Sequence, residues 1–273
     1  MNHKIPLNSA LILVSLIKHR ELLCSLIKRD FIGRYKGSFL GVGWSLFNPL
    51  LMLTVYTMVF SVAFKVRWNT IDDGNLSFAI VLFSGMIVHA FFAECINRAP
   101  TLILNNTSYV KKVVFPLEIL PVVTLCSALL HFIVSFIVLL VFCLIAGVEV
   151  HIQTILLPII LLPLVLMALG FSWLLASLGV YIRDLAQAMT MVSTVLIFLA
   201  PVFYPITALP EAYQAFIKWN PITLPVDQLR RVMLFGVSPN WIEWLVAFVA
   251  SILICSFGYC WFQRTRKGFA DVI

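Results

Sequence analysis

The sequence predicts an all-α integral membrane protein with six transmembrane helices. Hydrophobic residues make up 62% of the 273 residues and charged residues only 11%, and the charges leave long gaps between them. A soluble domain carries about 25% charged residues. The composition therefore excludes an ordinary soluble domain, and the function has to lie in a pathway, a gate or a membrane-bound site.

Six stretches contain no Lys, Arg, Asp or Glu and are long enough to cross a bilayer, which takes about 20 apolar residues in a helix. They are 37–64, 74–93, 119–148, 150–182, 185–210 and 244–263. Lipid cannot satisfy backbone groups, so each stretch is expected to be helical. We expect one domain over 1–273, with an interface region at 1–36, the six spans in 37–263 and a tail at 264–273.

The segment before the first span is amphipathic rather than spanning. Over 7–34, apolar residues such as Leu11 and Val14 alternate with basic residues such as Lys18 and Arg29. Such a pattern is typical of a helix that lies in the membrane interface. A cytoplasmic linker helix is the alternative.

The segment 201–240 differs from the rest because it holds six prolines. Its apolar or amphipathic pieces, 212–219 and 226–235, are too short to span. They are expected to form two short re-entrant or interfacial helices between spans five and six, on the outer face, where they could act as a gate.

The basic residues predict the orientation. With both termini in the cytoplasm, all but five of the 19 Lys and Arg residues fall on the cytoplasmic side. The five on the other side are Lys65, Arg67, Lys218, Arg230 and Arg231. Because cytoplasmic loops are enriched in Lys and Arg, both termini are expected to be cytoplasmic.

Several kinds of chemistry have no motif in this sequence. There is no phosphate-binding loop of the G-x-x-x-x-G-K-[ST] type, and neither H-E-x-x-H nor C-x-x-C occurs. We therefore expect no ATP hydrolysis, no catalytic residue, no metal and no cofactor on this chain. Glu94, with Arg98 four residues later, is the one acid near the helical core. His89 and His131 are interpreted as hydrogen-bonded core residues, so ion-coupled transport has weak support.

Aromatic residues are candidates for the lining of a path. Tyr56, Phe60 and Phe64 share one face of the first span, and Phe198, Phe203 and Tyr204 lie near the outer end of the fifth. Aromatic rings offer apolar platforms for the faces of sugars, which suits a sliding polymer. Helix packing and anchoring at the membrane surface are the alternative.

Motifs along nearly the whole chain resemble those of ABC-2 type polysaccharide export permeases. They are RDF at 29–31, RYKGS at 34–38, LGVGWSLFNPL at 40–50, VKKVVFPLEILP at 110–121, RDLAQ at 183–187 and APVFYP at 200–205. The ending FADVI at 269–273 is similar to that of Gram-negative O-antigen members. Position 117 departs from the pattern, with Leu where many relatives carry a basic residue.

The resemblance implies a permease of the bacterial inner membrane that acts as a homodimer with two copies of a separate ATP-binding subunit. That subunit would bind ATP and Mg. The implied cargo is a polyprenyl-diphosphate-linked polysaccharide of the O-antigen type, moved from cytoplasm to periplasm. Membrane lipids are expected as further partners, and no nucleic acid is expected.

Two groups of residues at the inner face are candidates within this framework. Arg29, Arg34 and Lys36 would attract the diphosphate of the lipid at the entrance, since basic residues near a membrane surface attract anionic head groups; anchoring is the alternative. The loop residues Asn105, Asn106, Lys111 and Lys112 would contact the ATP-binding subunit.

Two other functions remain open from the sequence. One is export of a teichoic acid, a small lipid or a drug by a permease of the same superfamily. The other is a membrane-embedded acyl- or glycosyltransferase, which would require clustered acids, histidines or metal ligands that the sequence does not show.

Overall fold

The computed structural model describes residues 17–59, 75–111 and 115–273, and the regular structure of these residues is helical. We number the α-helices of the described ranges α1 to α11 in chain order. They are α1 Arg20–Gly33, α2 Trp44–Tyr56, α3 Asn75–Arg98, α4 Thr107–Val110, α5 Ile119–Ala146, α6 Leu157–Tyr181, α7 Leu185–Leu199, α8 Glu211–Lys218, α9 Thr223–Met233, α10 Trp241–Thr265 and α11 Phe269–Val272.

Five stretches of the described ranges are long and apolar enough to cross a membrane. They are Gly41–Val59, Phe78–Thr101, Ile119–Ala146, Ile152–Tyr181 and Trp241–Val272. These coincide with the first, second, third, fourth and sixth stretches expected from the charge gaps. The chain is therefore a multi-pass membrane protein, and the regular structure of its described ranges is helical.

The fifth expected span, 185–210, forms a shorter helix than its charge gap suggests. Helix α7 has 15 residues and ends at Leu199 because Ala200 takes an extended conformation before Pro201. At 1.5 Å per residue, such a helix measures about 22 Å, against about 30 Å for the hydrocarbon core. A sixth span at this position stays a prediction.

Helix α3 forms the centre of the molecule. Of its membrane window, 78% is buried inside the protein, against 6% for the first span. The elements packed around it are α2, α5, α6, α7 and α9. Helix α2 leaves most of its apolar surface open, and residues 60–74 that follow it lie outside the described ranges.

Helices α6 and α10 pack so closely that their backbones touch. A Cβ atom at Gly258 would lie 2.1 Å from the carbonyl oxygen of Gly170, and one at Gly170 would lie 2.7 Å from Cα of Cys255. Small residues permit such close approach between membrane helices. Leu157–Tyr181 and Trp241–Thr265 thus form a tight pair beside α3.

The amphipathic segment expected at 7–34 is described from residue 17 onward, and residues 1–16 lie outside the described ranges. Helix α1 lies against α5, where Leu26 is buried with Ile119 and Val123. Its basic residues Lys28 and Arg29 are exposed. One face of α1 therefore packs on the spans while the other carries charge.

The segment between α7 and α10 contains two short helices, at the two places where short pieces were expected. They differ in burial. Helix α9 is largely buried against α3 and α6. Helix α8 exposes its aromatic side chains, with Tyr213 at 63% and Phe216 at 65% exposure. Their role as a gate stays a prediction.

Candidate functional site

Five ionisable side chains meet where the end of α1 lies beside the end of α3 and the first half of α5. We call this group the ion-pair cluster: Asp30, Arg34, Glu94, Arg98 and His131. Arg98 binds both carboxylate oxygens of Asp30, at 2.6 and 3.1 Å. Arg34 binds Glu94. The cluster thereby joins α1 to the central helix α3.

The local geometry of two helices creates this arrangement. Asp30 on α1 and Arg34, the residue that follows α1, are four positions apart, and their side chains lie 3.5 Å from each other. Glu94 and Arg98 are four positions apart on α3, and their side chains lie 3.4 Å from each other. Residues at this spacing share a helix face. When the two faces meet, each arginine reaches the carboxylate of the other helix as well, and the charges of the two acids and two arginines balance.

His131 of α5 is shared between the two helices. Its Nδ1 atom lies 2.8 Å from Nη1 of Arg34 and 3.1 Å from Oε2 of Glu94, and its Nε2 atom lies 3.0 Å from the hydroxyl of Tyr35. Nδ1 either accepts a hydrogen bond or donates one, depending on protonation. Nδ1 therefore forms a hydrogen bond with either Arg34 or Glu94, but not with both at once.

The environment of Asp30 favours its charged form. Burial by itself raises the pKa of this carboxyl group, but the hydrogen bonds and positive charge of Arg98 oppose it, together with Ser127 and Arg34. The pKa of Asp30 is lowered below its ordinary value of 3.8 as a result. Asp30 is thus an anion that holds two arginines in place.

Beside the cluster, α1 also contacts the loop before the third span. Arg29 donates a hydrogen bond of 2.7 Å to the hydroxyl of Tyr109, and its guanidinium lies 5.7 Å from the centre of that ring. The Tyr109 ring stacks on Phe115 with 4.3 Å between centroids. The interface helix and the loop containing α4 therefore form one surface.

The structure separates the three basic residues expected at the lipid entrance. Arg29 and Lys36 are exposed. The Arg34 side chain is 24% exposed and is engaged within the ion-pair cluster. Arg29 is engaged with Tyr109, so Lys36 is the one of the three with no such contact described.

The loop residues expected to meet an ATP-binding subunit lie around α4. Asn105 and Lys111 are exposed, and Asn106 donates a hydrogen bond of 2.8 Å to the carbonyl of Leu102. Lys112 lies outside the described residues. Asn105, Asn106 and Lys111 share one short loop that Arg29 joins to α1 through Tyr109.

Three of the six aromatic residues expected to line a path form one group. The rings of Phe198 and Phe203 stack with 5.5 Å between centroids, and the Tyr204 hydroxyl donates to the Phe198 carbonyl at 2.9 Å. Tyr56 is half-buried on α2 against the core. Phe60 and Phe64 lie outside the described residues.

Sequence reasoning found part of the ion-pair cluster and missed the rest. The pairing of Glu94 with Arg98 and the hydrogen-bonded role of His131 are confirmed. Asp30 was not recognised, although its spacing of four from Arg34 repeats that of Glu94 and Arg98. The complete burial of Arg230 had no signal in the sequence.

Within the described ranges, no group of three or more His, Cys, Asp or Glu side chains is placed to hold a metal ion. The cluster is instead a set of mutually compensating charges. Such an arrangement fixes helices relative to one another or releases them, rather than performing bond chemistry.

Comparison of the sequence with known proteins identifies relatives of this chain. The chain is 26% identical to an O-antigen export system permease protein RfbA from Myxococcus xanthus, over 94% of this chain and 97% of that protein. It is 23% identical to an RfbA of the same description from Klebsiella pneumoniae, over 93% and 95%.

A third relative is the polysialic acid transport protein KpsM of Escherichia coli, 22% identical over 78% of this chain and 81% of that protein. The sequence profile of the ABC-2 type transporter family matches residues 21–234, from the interface helix through the end of α9. This match covers most of the chain and most of its described spans, and the chain therefore belongs to the ABC-2 type transporter family.

Proposed function

We propose that this chain is the transmembrane subunit of an ATP-driven exporter that moves a polyprenyl-diphosphate-linked polysaccharide of the O-antigen type from cytoplasm to periplasm. One observation carries the proposal. Relatives from two organisms that align over more than nine-tenths of both chains are O-antigen export permeases. A more distant relative transports another glycan, polysialic acid, which supports a polysaccharide cargo.

The proposed topology has six spans in the bacterial inner membrane, with both termini cytoplasmic. Helix α7 and the residues after it would form the fifth span. The placement of most basic residues on the side of the ion-pair cluster supports this orientation, since cytoplasmic loops collect Lys and Arg. The end of the molecule that carries α8 and α9 would then face the periplasm.

The proposed assembly is a homodimer with two copies of an ATP-binding subunit. Helices α2 and α7 both pack on the central helix α3, and both leave apolar side chains exposed. On α2 these include Leu50 and Val55, each more than 40% exposed. A second copy that covers this side of the molecule would enclose a path between the two subunits.

The exposed face of α7 supports a path for sugars rather than for lipid alone. Gln187, Thr190 and Thr194 are exposed, and Phe198 is 62% exposed. At 100° per residue these four lie within one face of the helix. Amide and hydroxyl groups can exchange hydrogen bonds with sugar hydroxyls, while Phe198, Phe203, Tyr204 and Tyr56 would offer apolar platforms.

The inner face would receive the lipid and the driving force. Arg29, Arg34 and Lys36 are proposed at the entrance for the diphosphate, with Lys36 exposed and Arg34 held in place by the ion-pair cluster. The loop with Asn105, Asn106 and Lys111 is proposed as the contact with the ATP-binding subunit, which would bind ATP and Mg. The hydrogen bond from Arg29 to Tyr109 supports a common surface for both tasks.

Deletion of the gene tests this function. Surface polysaccharide should disappear while lipid-linked polymer accumulates at the cytoplasmic face, and expression of the chain should restore the surface polymer. Radiolabelled sugar followed into membrane fractions distinguishes the two pools. Normal surface polymer in the deletion strain, or accumulation of a small lipid without any polymer, would contradict the proposal; the second outcome would favour an exporter of smaller lipids.

A further inference from the structure

Arg230 of α9 is a fully buried arginine that has no part in the site described above. Its relative exposure is 4%. The guanidinium donates to the carbonyl oxygens of Val81, Pro201 and Val202, at distances between 2.5 and 3.2 Å, and its Nε also reaches Oγ of Ser84 at 3.3 Å. One side chain thus joins α9 to α3 and to the break that follows α7.

Two of the carbonyl groups bound by Arg230, those of Pro201 and Val202, belong to the break that follows α7. Pro201 has no N–H to continue the helix, and the last carbonyl groups of any helix lack partners within it. A buried carbonyl group without a donor is costly, so the break requires donors from elsewhere. The planar fork of an arginine supplies several donors from one charge, which lets Arg230 hold both Pro201 and Val202.

A glycine makes room for this arginine. A Cβ atom at Gly85 would lie 2.8 Å from Nη2 of Arg230 and 3.3 Å from Cγ1 of Val202. The first distance is too short for a carbon beside a nitrogen, so any larger residue at position 85 would displace the guanidinium or the break. Position 85 on α3, Arg230 on α9 and Val202 at the break therefore form a single packed unit.

The neighbouring helix α8 is attached more weakly: one buried hydrogen bond of 2.8 Å joins it to α9, from the Thr223 hydroxyl to the Ile217 carbonyl. Its single buried residue is Ile217. Its ion pair between Lys218 and Glu243 is 3.5 Å long, with side chains 58% and 43% exposed. Exposed pairs of this kind contribute little to stability. At the end of α8, Trp219 is 88% exposed.

We propose that Arg230 is a positioning residue that joins α3, α9 and the break at 200–202 into one fixed unit, so that movement at this end of the molecule is confined to α8. The proposal deepens the proposed function because it names α8 as the mobile part of the exit. It rests on the proposed function only for the statement that this end of the molecule is the exit. The two short helices then have separate tasks: α9 is a brace, and α8 is the part that can open.

Hydrogen exchange of the complete transporter in lipid nanodiscs tests the proposal. Arg230→Lys keeps the charge but loses the planar fork. Losing one charge-assisted hydrogen bond shifts an opening equilibrium by roughly tenfold. We therefore expect backbone amides at 202–204 and in α9 to exchange about tenfold faster, while the rates in α8 stay unchanged.

Gly85→Ala should reproduce the pattern of Arg230→Lys because it displaces the same guanidinium, which keeps the test valid if Arg230→Lys does not assemble. Gly33→Ala is the matched control, since a Cβ atom at Gly33 has no neighbour within 4 Å. Unchanged rates at 202–204 and α9 in both test variants, or an equal increase in α8, would overturn the proposal. Surface polymer, measured separately, tests the export function, so the two can fail independently.

Discussion

The ion-pair cluster and the Arg230 site each join several elements through α3, but they do so with different chemistry. In the cluster, charged side chains bind other charged side chains that are 19–30% exposed. At the other site, one arginine with 4% exposure binds main-chain carbonyl groups. The first can exchange partners when a rotamer or a proton changes, whereas carbonyl groups move only with their backbone.

The difference indicates which parts of the molecule can rearrange. His131 already has two alternative neighbours for one nitrogen, Arg34 and Glu94. Burial lowers the pKa of Arg230 to about 9, an effect that Asp227 opposes, so the arginine stays charged at neutral pH and its carbonyl partners stay bound. The cluster suits a region where α1 has to shift on the spans, and Arg230 suits a region that must not change.

The largest loss of folding stability should come from Arg230→Met. The methionine side chain fills part of the same volume but leaves several buried carbonyl groups without donors. Each buried carbonyl group left without a donor typically costs about 1–3 kcal/mol, and Pro201 and Val202 both lose their donor. Thermal unfolding in nanodiscs should show the largest loss among the variants considered. Lys218→Met, on exposed α8, is the control. Equal stability of the two variants would mean that Arg230 does not anchor its surroundings.

Glu94→Gln should lower the free energy of unfolding by a smaller amount, on the order of 1–3 kcal/mol. Arg34 and Arg98 lose the negative charge that they share, but the neutral amide oxygen still accepts hydrogen bonds. The same unfolding assay measures the loss, and Asp184→Asn on an exposed turn is the control. If the cluster rearranges during transport, ATP consumed per exported polymer should also rise. A stable variant with unchanged coupling would remove the cluster from the transport cycle.

Asp30→Asn should lower the free energy of unfolding by about 1 kcal/mol near neutral pH, and this loss should depend on pH. Because the folded pKa of Asp30 lies below 3.8, its stabilisation is fully present above 3.8 and declines as the pH falls through the folded value. The unfolding temperatures of wild type and variant should therefore converge only in strong acid. A gap that closes well above 3.8 would show that Asp30 is not held by Arg98.

The smallest change in folding stability should come from Lys218→Ala. Its partner Glu243 is 43% exposed, and surface pairs are worth about 0–1 kcal/mol. The unfolding temperature should stay within experimental error of the wild-type value, with surface polymer unaffected by the loss of the pair alone. A large loss of stability would show that α8 is anchored as firmly as α9, which would remove the contrast between the two helices.

The sequence by itself determined the membrane class, the approximate limits of five spans and the division of the Pro-rich segment 201–240 into short helices. These are local properties: apolar length decides whether a helix can span, and a segment with many prolines is interrupted into short pieces. The two short helices at 211–233 followed from the same reasoning. The i,i+4 pair of Glu94 and Arg98 was also visible, because both partners lie on one helix.

Only the tertiary structure decided which charges meet. Asp30 and Arg98 lie 68 positions apart, and Arg230 and Val81 lie 149 apart. Arg230 and Arg231 are neighbours in the sequence with the same charge, yet only Arg230 points to the carbonyl groups of the break. Which distant residue a helical side chain contacts depends on how the helices pack against each other. Packing is a property of the whole chain rather than of any one segment.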